Sequence, residues 1–207
     1  MFGKTGFLIS LAGLALLAVP EEKPEPKGAE ISGVQAIDDR PNRLETAPAP
    51  DTRPQAIRAL TITRELGVER WLEPGQYAWD AEAAEAASGP ATVVVNLRSR
   101  TLSVYRAGVE IGRSSILYGF GEHPTPLGTF PVMEKKRDHH SRKYNAPMPH
   151  MLRLTSDGVA LHGSARLAND GATHGCVGLP REFAALLFDH VGVGDAVIIW
   201  DGRAAAA

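Results

Sequence analysis

Residues 91–120 read ATVVVNLRSRTLSVYRAGVEIGRSSILYGF, and their periodicity decides the fold class. Val93, Val95 and Leu97 recur at every second position, followed by Leu102 and Val104 and then by Ile111 and Ile116. A period of two puts one apolar face on each segment and predicts strands. Turn residues at Arg98-Ser99-Arg100 and Ala107-Gly108 separate the segments, so neighbouring strands are expected to run antiparallel. Downstream, GTFPVMEKK (128–136) and MLRLTSDGVALHG (151–163) add strands, the second with a turn at Ser156-Asp157-Gly158. DAVIIW (195–200) reads as a last strand. Between them, LPREFAALLFDHVGVG (179–194) carries Phe183, Leu186 and Leu187 at helical spacing behind Pro180, with Gly192 as the expected stop. The expectation is a mainly β domain with one short helix after residue 180.

Upstream of residue 91 the pattern dissolves. IRALTITREL (57–66) has no clean period, and DAEAAEAASGP (80–90) predicts a short helix ended by Gly89-Pro90. Trp71, Tyr77 and Trp79 are expected to pack this segment onto the domain. From Pro20 to Pro54, Pro, Glu, Asp and Arg dominate and large apolar residues are few, a composition that cannot offset chain entropy by burial. The start, MFGKTGFLISLAGLALLAVP, puts Lys4 before an apolar run from Gly6 to Val19, the layout of an export signal. The run is shorter than the roughly 20 residues that span a bilayer, so a cleaved signal peptide and an uncleaved N-terminal membrane anchor both stay open. The expected organisation is therefore a signal segment (1–19), a disordered tether (20–54), an accessory segment (55–90), a catalytic domain (91–200) and a tail (201–207).

Charge says little: 22 Lys and Arg against 24 Asp and Glu leave a formal charge of -2, so no global field points to nucleic acid or to an anionic membrane surface. Cysteine says more. Cys176 is the only one in the chain, and an exported chain with one cysteine cannot form an internal disulfide. On count alone an inert, buried thiol is the simpler reading.

The residues around it open a second reading. A thiol attacks as thiolate and needs a base nearby, with donors for the oxyanion that forms when a carbonyl is attacked. His174 lies two residues before Cys176, and His162 ends the strand GVALHG across the loop SARLANDGA. Gly163 and Gly175 flank the histidine and the cysteine, where the backbone can turn tightly. Spacing alone leaves three readings open: a nucleophile and its base, a packed cysteine beside satisfied histidines, and a zinc site of His162, His174 and Cys176. The last lacks the paired Cys-x-x-Cys or His-x-x-x-His spacing of a typical site.

The pairing of HG at His162-Gly163 with THGCV at Thr173 to Val177 resembles the signature of the L,D-transpeptidases. The order of TLSVYRAGVEIG, YGFGEHPTPLGTFPV and YNAPMPHMLRLTSDGVALHG before it is similar to that family too, so the resemblance runs from about Ala91 to Trp200. It implies a β-rich fold that acts on bacterial peptidoglycan stem peptides without metal or other cofactor, as an exported protein of the cell envelope. The family's cysteine attacks the carbonyl of the third stem residue, expels D-alanine and holds the acyl group as a thioester. An amine then takes it: the side chain of another stem, a lysine of an envelope protein, or a free D-amino acid. Water as acceptor gives an L,D-carboxypeptidase, the alternative on the same fold. A wall-binding module without turnover is the alternative of another class.

Matched position by position, the resemblance makes Cys176 the nucleophile and His162 its base, with the Gly163 carbonyl orienting the imidazole. His174 lines the site, the N–H groups of Gly175 and Cys176 form the oxyanion hole, and Thr173 holds the loop through its hydroxyl. Two features depart from the pattern. Gly178 stands where family members often carry Arg or Asn, with Arg181 three residues further on in no assigned role, and the spacer from His162 to Thr173 is short. EKKRDHHSRKY (134–144) reads as a basic, solvated loop, HPTPLG (123–128) as a rigid turn, and His139, His140 and His150 lack metal spacing. His190, near a helix end, is expected to answer the local dipole.

Overall fold

Strand pairing in the computed structural model, which describes residues 53–68, 71–165, 167 and 173–203, follows the alternation read above. The apolar run, nearly all of the tether and residues 204–207 lie outside the described residues. Chain order is α1 (Gln55–Arg58), β1 (Tyr77–Trp79), α2 (Ala81–Ala86), β2 (Ala91–Asn96), β3 (Thr101–Arg106) and β4 (Val109–Ser115). Then come β5 (Gly128–Pro131), β6 (Glu134–Lys136), β7 (His140–Ser141), β8 (Ala146–Pro147) and β9 (Met151–Arg153). β10 (Ala160–Ser164), β11 (Val177–Pro180), α3 (Arg181–His190) and β12 (Ala196–Trp200) complete it. One sheet has the order β1-β4-β3-β2-β12-β5, a second β11-β10-β9-β6, and β7-β8 form a separate hairpin.

In β2, Ala91, Val93 and Val95 are buried while Thr92, Val94 and Asn96 are not, the one-sided pattern of a sheet covered on one face. Antiparallel register sets Val93 against Val104 and Val95 against Leu102. The β3–β4 turn uses positive φ at two successive residues, Ala107 (50°) and Gly108 (80°), as a tight two-residue hairpin requires. At Gly108 the requirement is doubled, because a Cβ there would lie 2.2 Å from the Thr61 carbonyl oxygen.

Two pairings are parallel, β2 with β12 and β10 with β11. Parallel neighbours need a crossover. On the way from β11 in the second sheet to β12, which lies parallel to β2 in the first, the chain forms α3, which turns Phe183, Ala184 and Leu187 inward. Phe183 is fully buried, tilted against Tyr77 (5.7 Å between centroids) and edge-on to Trp79 (5.8 Å). Burial of a phenylalanine contributes on the order of 2–3 kcal/mol. Around it Leu102, Ile111, Leu161, Leu179 and Ile199 join both sheets in one core.

At the carboxyl end of α3, Arg106 from β3 donates to the His190 carbonyl and Lys135 from β6 donates to those of Phe188 and Val191. Cations there satisfy orphan carbonyls and oppose the helix dipole. His190 turns its own Nδ1 to the Leu186 carbonyl (2.8 Å). The helix stops at Val191, in extended conformation, one residue before the glycine expected to end it.

The accessory segment is tied down by backbone pairing of β1 with β4 and of Thr63 and Arg64 with the β3–β4 turn, and by a buried carboxylate. Glu110, fully buried on β4, accepts from Arg113 through both oxygens (2.8 and 2.7 Å) and from the Leu66 N–H (2.9 Å). α2 forms at the predicted place, with Asp80 as its cap accepting from the Ala83 N–H at 2.8 Å. Tyr77 and Trp79 pack as expected, but Trp71 does not. It stands 64% exposed, because Phe183 faces the other two rings and not this one.

Candidate active site

β11 sits at the junction of the two sheets, and that position assembles the site. On one side it pairs in parallel with β10, setting Leu161 opposite Val177 and His162 opposite Gly178. On the other, Gly178 exchanges two backbone hydrogen bonds with Leu117, just past the end of β4 (2.9 and 2.7 Å). Side chains alternate along a strand. Leu161 and Val177 therefore enter the core, while Ala160 and His162 share the opposite face of β10. Cys176, immediately before β11, packs on that same face against Ala160, Met148 and Met151. Nucleophile and base candidates thus lie on one face of adjacent parallel strands, although 13 residues lie between them in the sequence.

The His162 ring is half-buried, with Nδ1 2.9 Å from the Gly163 carbonyl oxygen. A neutral imidazole facing a carbonyl must donate through that nitrogen, so Nε2 keeps its lone pair. Burial pushes the His162 pKa below 6.5, opposed by the Gly163 carbonyl and reinforced by the nearby charge of His139. Burial also pushes the Cys176 thiol above its ordinary 9.0; a backbone hydrogen bond at Ala160 works the other way, and Asp157 adds to the rise. The resting thiol donates to the Gly158 carbonyl oxygen at 3.8 Å. Both shifts favour the neutral forms, thiol and imidazole, over a thiolate and an imidazolium.

Backbone shape does the rest. Gly175 has φ of +94°, a conformation open to glycine and strained for other residues. Its backbone touches a second glycine: a Cβ on Gly119 would lie 2.5 Å from Gly175 N and 2.8 Å from its Cα. Gly119 is held in place by the buried Thr125, whose hydroxyl accepts from its N–H (2.9 Å) and whose N–H donates to its carbonyl (3.0 Å). Thr173 donates its hydroxyl to the Cys176 carbonyl and its N–H to that of Tyr118 (3.4 Å). Gly163 is boxed in. Its N–H donates to the Pro149 carbonyl (2.8 Å), and a Cβ would meet Pro149 at 3.2 Å and Arg181 Cα at 3.4 Å.

His174 is exposed and stands at the rim. Its ring stacks on Tyr144 (4.3 Å, 23°), from the tip of the β7–β8 hairpin, and tilts against His123 (4.9 Å). Among the described residues no group of three or more His, Cys, Asp or Glu is arranged to hold a metal ion. Gly178 fits only as a small residue, because a Cβ there would meet Ser164 at 3.2 Å and Leu117 at 3.4 Å.

Sequence reasoning passed over Tyr118, Gly119, Thr125, His123 and Tyr144. The first four belong to YGFGEHPTP, which reads as a turn; its glycines were the available signal. Tyr144 lies in the basic run, where charge hides a single aromatic.

Comparison with known proteins places residues 90–199 in the YkuD family, described as the L,D-transpeptidase catalytic domain. The chain is 28% identical over 147 residues to the probable L,D-transpeptidase 3 of Mycobacterium tuberculosis, covering 54% of each chain. It is 29% identical over 120 residues to L,D-transpeptidase 1 of the same organism, covering 50% of this chain and 48% of that one. The chain spans about half the length of these curated relatives. Among solved structures, an L,D-transpeptidase from Stackebrandtia nassauensis superposes with a TM-score of 0.51 at 26% identity, over 58% of this chain and 60% of that chain. An L,D-transpeptidase solved in complex with imipenem gives 0.50 at 28%, over 53% and 58%.

Proposed function

The chain belongs to the L,D-transpeptidase catalytic-domain family, and from that premise we propose that it transfers peptidoglycan stem-peptide acyl groups through a thioester on Cys176. The observation that carries the reading is the shared face of β10 and β11, where Cys176 packs beside the strand of an imidazole whose Nδ1 is occupied by the Gly163 carbonyl. Nε2 of His162 is then the free base.

In the first half-reaction His162 takes the thiol proton as Sγ attacks the carbonyl of the third stem residue. The oxyanion meets the N–H groups of Gly175 and Cys176, donors worth about 3 kcal/mol each in such sites. Collapse breaks the bond to D-alanine, whose nitrogen takes the proton from His162. In the second half-reaction His162 removes a proton from an incoming amine, the amine attacks the thioester, and the proton returns with the departing thiolate. Neutral partners suit this sequence, because an imidazole that is unprotonated at neutral pH is ready to accept the thiol proton when substrate arrives. Thr173 ties its loop to the backbone of the nucleophile through the carbonyl of Cys176.

Export to the cell envelope, by a cleaved signal or an anchor within residues 1–19, is part of the same proposal, since the substrate lies outside the cytoplasmic membrane. The test is mass spectrometry of the protein with a disaccharide tetrapeptide, with the Cys176→Ala variant alongside. Dimer that depends on Cys176 supports transpeptidation, and tripeptide without dimer moves the reading to a carboxypeptidase. Neither product nor acyl adduct from folded protein overturns it.

A further inference from the structure

Trp71 and Phe120 stand 64% and 55% exposed, and both line one cavity of ≈ 200 Å³. Two large rings held open to solvent around a single hollow mark a place for a ligand. One wall, Trp71, Leu72 and Pro74, comes from the accessory segment, outside the stretch 90–199 that matches the family. The other is Leu117, Tyr118 and Phe120, where Phe120 is edge-on to Tyr118 (6.4 Å, 68°) and Tyr118 packs against the main core.

Backbone pairing fixes where this cavity lies relative to Cys176. Leu117 pairs directly with Gly178, and a Cβ on Gly178 would lie 3.4 Å from that of Leu117. The Leu117 side chain therefore shares the face of Gly178, which is the face of Cys176 and His162. Neighbouring strands lie about 4.8 Å apart and two residues advance a strand by about 6.6 Å, which puts Leu117 roughly 8 Å from Cys176. Gly178, between them, contributes no side chain to that face. Tyr118 and Phe120 also flank Gly119, whose backbone meets Gly175, so one three-residue stretch touches both the cavity and a candidate oxyanion donor.

Distance and chemistry select the ligand. In a disaccharide tetrapeptide, two residues and a lactyl link separate the sugar from the third stem residue, a span of roughly 10 Å when extended. A pyranose has C–H faces that stack on aromatic rings and a rim of hydroxyls that needs polar partners. The lining supplies both, rings for the faces and the exposed Glu73 and Arg100 for the rim. A carboxylate and a guanidinium in so small a cavity do not suit an acyl chain. We propose that this cavity is a saccharide subsite, in which a hexosamine ring of the donor's own glycan stacks on Trp71 and Phe120 while its stem peptide reaches Cys176. The inference rests on the transpeptidase reading above. It gives the accessory segment a task, the selection of donors that keep their sugar over bare stem peptides.

The test uses the full chain with two donors, a disaccharide tetrapeptide and the same tetrapeptide without its sugars. The Cys176 acyl adduct is followed by intact mass for the native protein, Trp71→Ala and Trp71→Phe. Truncating an aromatic anchor weakens binding by about tenfold or more. The native protein should therefore favour the glycosylated donor about tenfold in kcat/KM, and Trp71→Ala should bring that ratio below about twofold. Trp71→Phe should keep part of the preference, and the unfolding midpoints confirm that each variant is folded. Equal kcat/KM for the two donors in the native protein overturns the subsite alone. So does a preference that Trp71→Ala leaves intact; if that variant slows both donors alike, the cavity belongs to the peptide and not to the sugar. No adduct from either donor overturns the transpeptidase reading, and the subsite with it.

Discussion

Adding one methyl group at Gly119 should disable the site with Cys176 and His162 both left in place. A Cβ there lies 2.2 Å from the His123 carbonyl oxygen, 2.5 Å from Gly175 N and 2.8 Å from Gly175 Cα. All three are backbone atoms, so no side-chain rotation relieves the contact. Ordinary van der Waals contact begins at 3.4 Å, which leaves the Gly175 nitrogen about 0.9 Å too close. If the Thr125 pairing holds Gly119 still, Gly175 must retreat by that amount, and overpacking of this kind costs about 1–3 kcal/mol. Displacing a positioned oxyanion donor by about 1 Å costs on the order of 10²-fold in rate. The assay is the rate of Cys176 acylation by a disaccharide tetrapeptide, read by intact mass, with urea unfolding in parallel. Gly67→Ala is the control, because no atom lies within 4 Å of its added Cβ and it should stay within about 0.5 kcal/mol of native. A Gly119→Ala protein with native acylation rate and native unfolding midpoint would refute the argument that these two backbones hold each other in place.

Cys176→Ser should abolish turnover, since a serine hydroxyl is far less ionised, and His162→Ala should lower acylation by about 10²-fold or more, both measured as acyl adduct and released alanine. Because burial holds the thiol above 9.0, iodoacetamide should alkylate Cys176 slowly at neutral pH and faster as pH rises past that value; rapid alkylation at pH about 6 would reveal a preformed ion pair instead. The same shifts set a pH window for stability. The depressed His162 gives a contribution that is complete above 6.5 and is lost as pH falls towards its lowered folded value, while the raised Cys176 gives one that is complete below 9.0 and is lost as pH climbs past it. Unfolding of the native protein, compared with His162→Gln on the acid side and Cys176→Ser on the alkaline side, measures both. Glu110→Gln should destabilise by about 3 kcal/mol in urea unfolding, because it leaves the half-buried Arg113 without its carboxylate.

Where information was local, the sequence carried it. The alternation of Val93, Val95, Leu102 and Val104 predicted β2 and β3, and the spacing of Phe183 and Leu187 predicted α3. Pairing across long separations left no such mark. Nothing in DAVIIW says that it lies parallel to ATVVVN, because a buried strand reads the same beside either neighbour. Trp71 was expected to pack because indoles usually do, yet which ring faces Phe183 depends on the path of a segment without period. For the site, residue spacing left a zinc centre and a packed thiol open, and the resemblance carried by His162-Gly163 and Thr173 to Val177 separated them. Even that resemblance missed Gly119, whose importance is a distance to Gly175 and not a residue type.

α3 is gripped at its carboxyl end by Arg106 from one sheet and Lys135 from the other, and inserts Phe183 between them at its amino end. One helix is thereby the common fastener of both sheets. Loosening either sheet alone strips hydrogen bonds from the fastener and so weakens the hold on the other, which binds their unfolding into a single cooperative event. The expected consequence is protective: the strands that flank Cys176 and His162 open to a protease only with the whole domain, so lifetime follows the rare opening of that domain.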